Sequence, residues 1–229
     1  MHVSLGKSAQ IFGSAIKELN HFNEPGFREN GLSYKKNFPD TPGVKYYMES
    51  TPHYFQLPNR HSDTAQNIKD TVPEAQIIVL FRDPVARYES AYIHHMMKGR
   101  IPYAPVIENF TDNFRMLSIG RYSEILKHWQ SIWPDMALFL YDDVLAEKSL
   151  AIDRIMKLLG LQNDIPATAL EFRTNAKELK IKKIPNKWEN MPVLAPALYH
   201  KLADYYSDGI RELERMIERD LGHWGKRRV

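Results

Sequence analysis

The chain has 229 residues, enough for one α/β domain with a sizeable buried core. Its 43% hydrophobic and 26% charged content is ordinary for a globular protein, and no apolar stretch approaches the ~20 residues that span a bilayer. The 31 basic and 28 acidic residues give a net charge of +3, which argues against nucleic acid or a membrane surface as a partner. Because cysteine is absent, disulfides, thiolate catalysis and cysteine-ligated zinc are excluded. The N-terminus carries no signal-peptide pattern, so we expect a cytoplasmic protein.

Strands and helices alternate along the chain, which predicts a parallel sheet layered by helices. Short apolar runs predict strands over residues 11–15, 44–48, 76–81 and 136–141. Periodicity and capping residues predict helices over residues 2–9, 64–72, 84–98, 106–118, 122–133, 144–159 and 197–221. Gly160 is the predicted C-cap of the helix that precedes it. No internal repeat is present, so we predict a single domain over residues 1–229.

The most informative stretch covers residues 77–92, where a buried strand ends at Arg82 and a helix begins at once. Asp83 stands at the predicted N-cap and Pro84 at the first helical position, where proline is tolerated. A cation at the carboxyl end of a parallel strand, beside a helix N-terminus, is typical of a phosphate site. Ser90 follows Arg82 by eight residues, about two helical turns, a spacing that suits a hydroxyl on the same face.

This stretch resembles the 3′-phosphate motif of sulfotransferases that use 3′-phosphoadenosine 5′-phosphosulfate (PAPS). The motif runs from a hydrophobic strand into Arg-(Asn/Asp)-Pro-x-x-Arg and then Ser-x-Tyr, and it is matched by Arg82-Asp83-Pro84, Arg87 and Ser90-Ala91-Tyr92. The resemblance implies that Arg82 and Ser90 bind the 3′-phosphate of PAPS and of the product, PAP. A guanidinium suits this role because it binds phosphate through two parallel hydrogen bonds. The plainer alternative is a helix cap with a surface arginine.

Three further stretches resemble the carbohydrate-type branch of the same family and occur in its order. They are Lys17-Glu18-Leu19-Asn20-His21-Phe22, Glu49-Ser50-Thr51-Pro52-His53-Tyr54-Phe55, and Gly120-Arg121-Tyr122 with Leu126 and Trp129. The resemblance implies that Glu18 is the catalytic base and that His21 assists proton movement or contacts the acceptor. It also implies that Lys17, Thr51 and Tyr54 lie on the acceptor side and that Tyr122 contacts the nucleotide.

Each of these residues has a plainer interpretation as well. Glu18 is then a surface carboxylate paired with Lys17, His21 a structural histidine and Tyr122 a core aromatic. Ser50 stands where the family usually has a lysine, so we expect an acceptor that is less acidic than an anionic sugar. A basic stretch that includes Lys177 is typical of the loop that closes over the nucleotide in relatives, or of a solvated charged loop.

The implied fold is α/β, a P-loop-NTPase-like three-layer fold with a central parallel sheet flanked by helices. The family's first strand and its Gly- and Thr-rich loop, which holds the 5′-phosphosulfate, have no counterpart in this sequence. Gly6-Lys7-Ser8 does not replace the loop, because no glycine precedes it at the Walker spacing and no strand leads into it. The missing spacing also disfavours a nucleotide kinase.

Two functions therefore stay open. The first is a PAPS-dependent sulfotransferase that acts on a hydroxyl of a carbohydrate or another small alcohol. The second is a catalytically impaired nucleotide- or glycan-binding protein of the same fold. No metal is expected, because the neighbouring His94 and His95 point apart on a helix. The sequence makes no prediction of oligomeric state.

Overall fold

The computed structural model describes residues 1–170, 188 and 190–226. The helices in this part of the chain are α1 (His2–Leu5), α2 (Gly31–Lys35), α3 (Thr64–Thr71), α4 (Pro84–Met97), α5 (Tyr122–Ile132), α6 (Tyr141–Ala146), α7 (Lys148–Leu158) and α8 (Pro196–Ile217). The strands are β1 (Ile11–Gly13), β2 (Tyr46–Met48), β3 (Ile78–Phe81), β4 (Val106–Ile107), β5 (Ala137–Leu140) and β6 (Val193–Leu194). Strands and helices alternate, which confirms the predicted α/β fold class.

The six strands form three two-stranded sheets within the described residues, namely β1–β2, β3–β5 and β4–β6. Strand β1 runs parallel to β2, with Ile11 opposite Tyr46 and Gly13 opposite Met48. Strand β4 runs parallel to β6, with Ile107 opposite Leu194. Parallel strands need a long crossover, and in both cases the connecting chain carries helices.

The described chain divides into two compact units, each assembled from two stretches of sequence. The first comprises residues 1–80 and 128–170, and the second comprises residues 81–127, 188 and 190–226. The prediction of a single domain stays a prediction. Among the described residues no helix is both long and apolar enough to cross a bilayer.

The first unit has an apolar core in which one face of α7 packs against strand residues. Ile152 and Ile155 of α7 are fully buried together with Ile11 of β1 and Phe139 of β5. Two tryptophans of the α5 end are also buried here and satisfy their indole N–H groups: Trp129 donates to the carbonyl of Gln56 and Trp133 to that of Ala65. A buried tryptophan generally needs such a partner, and both bonds attach the helix end to the chain around α3.

The core of the second unit lies between α4 and α8. Tyr88 and Tyr92 of α4 are buried together with Leu202 and Tyr206 of α8. Tyr88 places its hydroxyl within hydrogen-bond distance of the Asn109 carbonyl, 2.8 Å away. The motif helix α4 is therefore held by a large aromatic core, which keeps its N-terminal end in a defined place.

All four predicted strands are present, and the other two, β4 and β6, were not predicted. The predicted helix over residues 106–118 is wrong: β4 occupies its start, followed by a turn. In that turn Asp112 Oδ1 accepts the backbone N–H groups of Leu117 (2.7 Å) and Ser118 (2.8 Å), and Thr111 accepts that of Asn113. Short polar side chains that capture backbone donors in this way compete with helical hydrogen bonds.

The predicted helix over residues 144–159 is two helices, α6 and α7, separated by Glu147, whose φ of −137° and ψ of 76° are not helical. Gly160 ends α7 with a φ of +65°, as expected for a left-handed C-cap. The basic stretch around Lys177 lies outside the described residues.

Candidate active site

The strand-to-helix junction at the end of β3 has the predicted capping geometry. Asp83 Oδ1 accepts the N–H of Val85 at 2.8 Å and that of Ala86 at 3.5 Å, and Pro84 occupies the first helical position. The other carboxylate oxygen, Oδ2, accepts the N–H of Gly225 at 3.2 Å. Asp83 thus takes up the first free donors of α4, which leaves side chains, with Arg82 and Ser90 as the predicted pair, for the phosphate site that the sequence predicts.

Tyr122 secures the residue that carries the predicted phosphate-binding guanidinium. Its ring packs on Phe81 (centroids 5.1 Å apart) and against Trp224 (6.3 Å), and burial raises the pKa of its hydroxyl. A hydrogen bond joins that hydroxyl to the backbone of Arg82. Tyr122 is thus a core aromatic that also contacts the predicted phosphate-binding residue, and its own contact with the nucleotide stays a prediction.

The second arginine of the motif, Arg87, turns into the protein. Its guanidinium donates to the carbonyl of Met116 and bonds the hydroxyl of Tyr206, whose pKa is raised by burial despite the nearby cation. Its Nε is buried and has no hydrogen-bond partner among the described residues. Arg87 therefore supports the core of the second unit.

The segment that carries the predicted base is strained. Glu18 has a φ of +63° and Asn20 a φ of +56°, values in the left-handed region that non-glycine residues avoid at a cost of roughly 1–3 kcal/mol each, less for asparagine. The Glu18 carboxylate is exposed and lies 3.9 Å from the Lys17 ammonium. Such an exposed pair stabilises the fold little and leaves the carboxylate accessible.

Glu49, which sequence analysis did not single out, is a half-buried carboxylate whose hydrogen-bond partners also contact this segment. It accepts hydrogen bonds from the hydroxyls of Tyr34 (2.9 Å) and Tyr54 (3.1 Å) at Oε1 and of Thr51 (3.4 Å) at Oε2. Burial raises the pKa of Glu49, although the three hydrogen bonds act in the opposite direction. The sequence did offer a signal for Glu49, since it is the first residue of the segment Glu49–Phe55. From that segment, however, only Thr51 and Tyr54 were predicted to lie on the acceptor side.

The hydroxyls of Thr51 and Tyr54 also accept hydrogen bonds from the backbone of the residues that follow Glu18. Thr51 Oγ1 accepts the backbone N–H of Asn20 at 3.4 Å, and the hydroxyl oxygen of Tyr54 accepts that of Phe22 at 3.3 Å. The structure therefore joins two of the predicted acceptor-side residues, Thr51 and Tyr54, to the segment of the predicted base.

His21 belongs to an aromatic cluster in the first unit. Its ring stacks on Tyr34 at 4.2 Å with an interplanar angle of 13° and meets Phe27 edge-on at 5.7 Å. Burial lowers the pKa of His21, and the carboxylate of Glu24 partly opposes that shift. The imidazole is therefore biased toward its neutral form, which can accept a proton.

A cavity of about 230 Å³ opens beside this cluster. Leu19, His21 and Tyr34 contribute to its wall, and its polar lining includes Glu24 and Asn30. A larger cavity of about 420 Å³ in the second unit is lined by the start of α5 and by α8, and its lining includes neither Arg82 nor Ser90.

The predicted site residues are thus distributed over both units. Lys17, Glu18, His21, Thr51 and Tyr54 belong to the first, and Arg82, Ser90 and Tyr122 to the second. No group of three or more histidine, aspartate or glutamate side chains suited to a metal ion occurs in the part of the chain that the structure describes.

Comparison with known proteins finds similarity to sulfotransferases. The sulfotransferase family profile matches residues 25–164. Heparan sulfate glucosamine 3-O-sulfotransferase 3B1 of Mus musculus is 24% identical over 230 residues, covering 91% of this chain and 57% of that protein. The membrane-associated sulfotransferase kil1 of Dictyostelium discoideum is 36% identical over 92 residues, covering 38% of this chain and 18% of that protein. The chain spans a little over half the length of the first of these curated relatives.

A solved structure agrees with these relatives. The crystal structure of a sulfotransferase from Alicyclobacillus acidocaldarius superimposes with a TM-score of 0.70 at 19% identity, covering 97% of this chain and 91% of that one. At that identity the likeness concerns the fold, while the family match covers well over half of the sequence. The chain belongs to the sulfotransferase family.

Proposed function

We propose that this protein transfers the sulfuryl group of PAPS to a hydroxyl of a carbohydrate or another small alcohol. The observation that carries the proposal is the junction at Arg82, where a guanidinium follows strand β3 and the helix donors beside it are already occupied by Asp83. A side-chain phosphate site fits this arrangement, since the backbone N–H groups of Val85, Ala86 and Gly225 are already bonded to the Asp83 carboxylate. Family membership supports PAPS as the donor.

In this proposal Arg82 and Ser90 bind the 3′-phosphate, and Tyr122 holds the backbone of Arg82 in place. PAPS supplies an activated sulfuryl group on a bridging oxygen. Glu18 takes the proton of the acceptor hydroxyl as its oxygen forms the new bond to sulfur, and the bond from sulfur to the bridging oxygen breaks to release PAP. His21, biased toward the neutral form, assists that proton movement. Lys17, Thr51 and Tyr54 lie on the acceptor side.

The acceptor is proposed to be a neutral hydroxylated compound, of which an uncharged glycan is the leading case. Ser50 replaces the family's usual lysine, and its hydroxyl lies 2.9 Å from Nδ1 of His2. Glu24 puts an acidic group, and Asn30 an amide, on the wall of the cavity beside His21. An anionic sugar would gain no cation from Ser50 and would be repelled by Glu24. The S50K variant should therefore improve turnover of sulfated relative to neutral oligosaccharides.

The test uses protein expressed from its complete reading frame. Titration with PAP should give saturable binding to the wild type, and R82K should weaken it roughly 10- to 100-fold, because one charge-assisted bidentate contact is lost. The matched control R121K, at an exposed arginine paired with Glu124, should bind PAP like the wild type.

Transfer of ³⁵S-labelled sulfate to an acceptor panel then separates binding from catalysis. E18Q should retain PAP binding but lose roughly 10²- to 10⁴-fold in rate, the range expected for a general base. E29Q, at another exposed carboxylate of the first unit, serves as the control. Absence of PAP binding to the wild type would refute the proposal, and binding without transfer to any acceptor would favour the catalytically impaired binding protein.

A further inference from the structure

The starting observation is the strained chain on either side of Leu19. Glu18 and Asn20 both have a positive φ, which persists only where surrounding contacts hold the backbone in place. One contact is local: the Asn20 side-chain amide donates to the carbonyl of Glu18 at 2.8 Å. Two long-range contacts come from residues about thirty positions further along, the hydroxyls of Thr51 and Tyr54.

These two hydroxyls act as acceptors toward the chain and as donors toward Glu49. A hydroxyl has a single hydrogen, so it can receive a backbone N–H reliably only if its own hydrogen points elsewhere. Glu49 accepts both of these hydrogens, one on each carboxylate oxygen: the Tyr54 hydroxyl donates at 3.1 Å and the Thr51 hydroxyl at 3.4 Å. An ionised carboxylate accepts and never donates, which fixes the direction of every bond in the set.

From these contacts we infer that Glu49 is a positioning residue for the catalytic carboxylate: through Thr51 and Tyr54 it fixes the backbone of Asn20 and Phe22, and with it the position of Glu18. The inference rests on the proposed function of Glu18. It assigns Thr51 and Tyr54 a role in holding the base, in addition to any contact with the acceptor.

Tyr34 provides an internal comparison. Its hydroxyl donates to the same oxygen of Glu49 as that of Tyr54, at 2.9 Å, yet no bond joins that hydroxyl to residues 18–22. Loss of the Tyr34 hydroxyl therefore removes a bond to Glu49 without removing a bond to the base segment. Y54F thus removes a hydrogen bond to the base segment together with one to Glu49, whereas Y34F removes only the bond to Glu49.

Amide hydrogen exchange in the purified protein tests the hydrogen-bond set without any need for activity. Y54F should speed exchange of the Phe22 amide by about threefold to tenfold, the factor expected for one lost hydrogen bond, and Y34F should leave it unchanged. E49Q should speed exchange of the Asn20 amide or of the Phe22 amide, namely the one bonded to the hydroxyl that faces the new amide donor. Equal effects of Y34F and Y54F, or unchanged exchange in E49Q, would overturn the inference.

Kinetics test whether the effect passes through Glu18. E49Q should lower kcat about tenfold while the KM for PAPS stays at the wild-type value, and adding E49Q to E18Q should lower kcat no further. Additive losses in the double variant would show that Glu49 acts independently of Glu18. If E49Q does not fold, Y54F in the E18Q background gives the same comparison. A wild type that transfers no sulfate refutes the proposed function, while the exchange result still decides whether Glu49 holds the segment.

Discussion

Substitution of Asp83 by alanine should remove both stabilising contacts of this carboxylate, the cap of α4 and the hydrogen bond from the Gly225 N–H. Loss of an aspartate N-cap costs about 1 kcal/mol of unfolding free energy. Loss of the hydrogen bond from the Gly225 N–H to Oδ2 costs about 1 kcal/mol more, and the backbone donor is left without its partner. A loss of about 2 kcal/mol corresponds to a fall in Tm of about 4–8 °C for a protein of this size.

The measurement is thermal unfolding by calorimetry, combined with PAP titration. PAP binding should weaken in D83A because Arg82 directly precedes the disrupted cap. The matched control is D63A. Asp63 caps α3, where it accepts the N–H of Gln66 at 3.3 Å, and it also pairs with a histidine. Its loss should therefore lower Tm without affecting the junction at Arg82. A D83A variant that melts like the wild type, or a D63A variant that weakens PAP binding as much as D83A does, would refute the reasoning.

Two further predictions concern packing and pH. G120A should lower the free energy of unfolding by about 1–3 kcal/mol in urea titrations, because an added Cβ would lie 2.7 Å from atoms of the Tyr206 side chain. The control is G209A: Gly209 is a helical glycine, and a Cβ there would meet its nearest neighbour at 3.6 Å. This substitution should be neutral or stabilising. Burial lowers the pKa values of His2 and His21, so the folded state binds fewer protons than the unfolded chain and unfolding free energy should fall as pH drops below about 6.5. H21Q should show a shallower fall between pH 7.5 and 5.5, and an unchanged slope would contradict this.

Four of the six described strands and the strand-to-helix junction at Arg82 were predictable because their signals are local. Strand β3, Arg82 and the Asp83 cap follow one another within a few residues, and each has a direct physical signature in the sequence. Strands β4 and β6 are two residues each, too short for a periodic pattern, and their pairing joins residues far apart in the chain. The helix predicted over residues 106–118 failed for a related reason: its apolar spacing suits a helix, but the side chain of Asp112 captures the backbone donors that a helix would use.

The residues of the candidate site also differ in whether their signal is local in the sequence or depends on long-range contacts. Residue types at Glu18, Arg82 and Ser90 were read from local patterns, whereas the role of Glu49 depends on Tyr34 and on backbone groups around Asn20, contacts that a single sequence does not display. Left-handed backbone at Glu18 could not have been anticipated either, since glutamate has no preference for it.

The bond between Asp83 and the Gly225 N–H joins positions 142 residues apart, and Trp224 packs on Tyr122 beside it. During synthesis on the ribosome, the junction at Arg82 therefore emerges long before the residues that complete it. The second unit reaches its final arrangement only after Trp224 and Gly225 have been made. A nascent chain that stalls before residue 221 would lack the Trp224 ring that packs on Tyr122, and the uncovered aromatic surface would make such intermediates natural clients of chaperones that bind apolar surface.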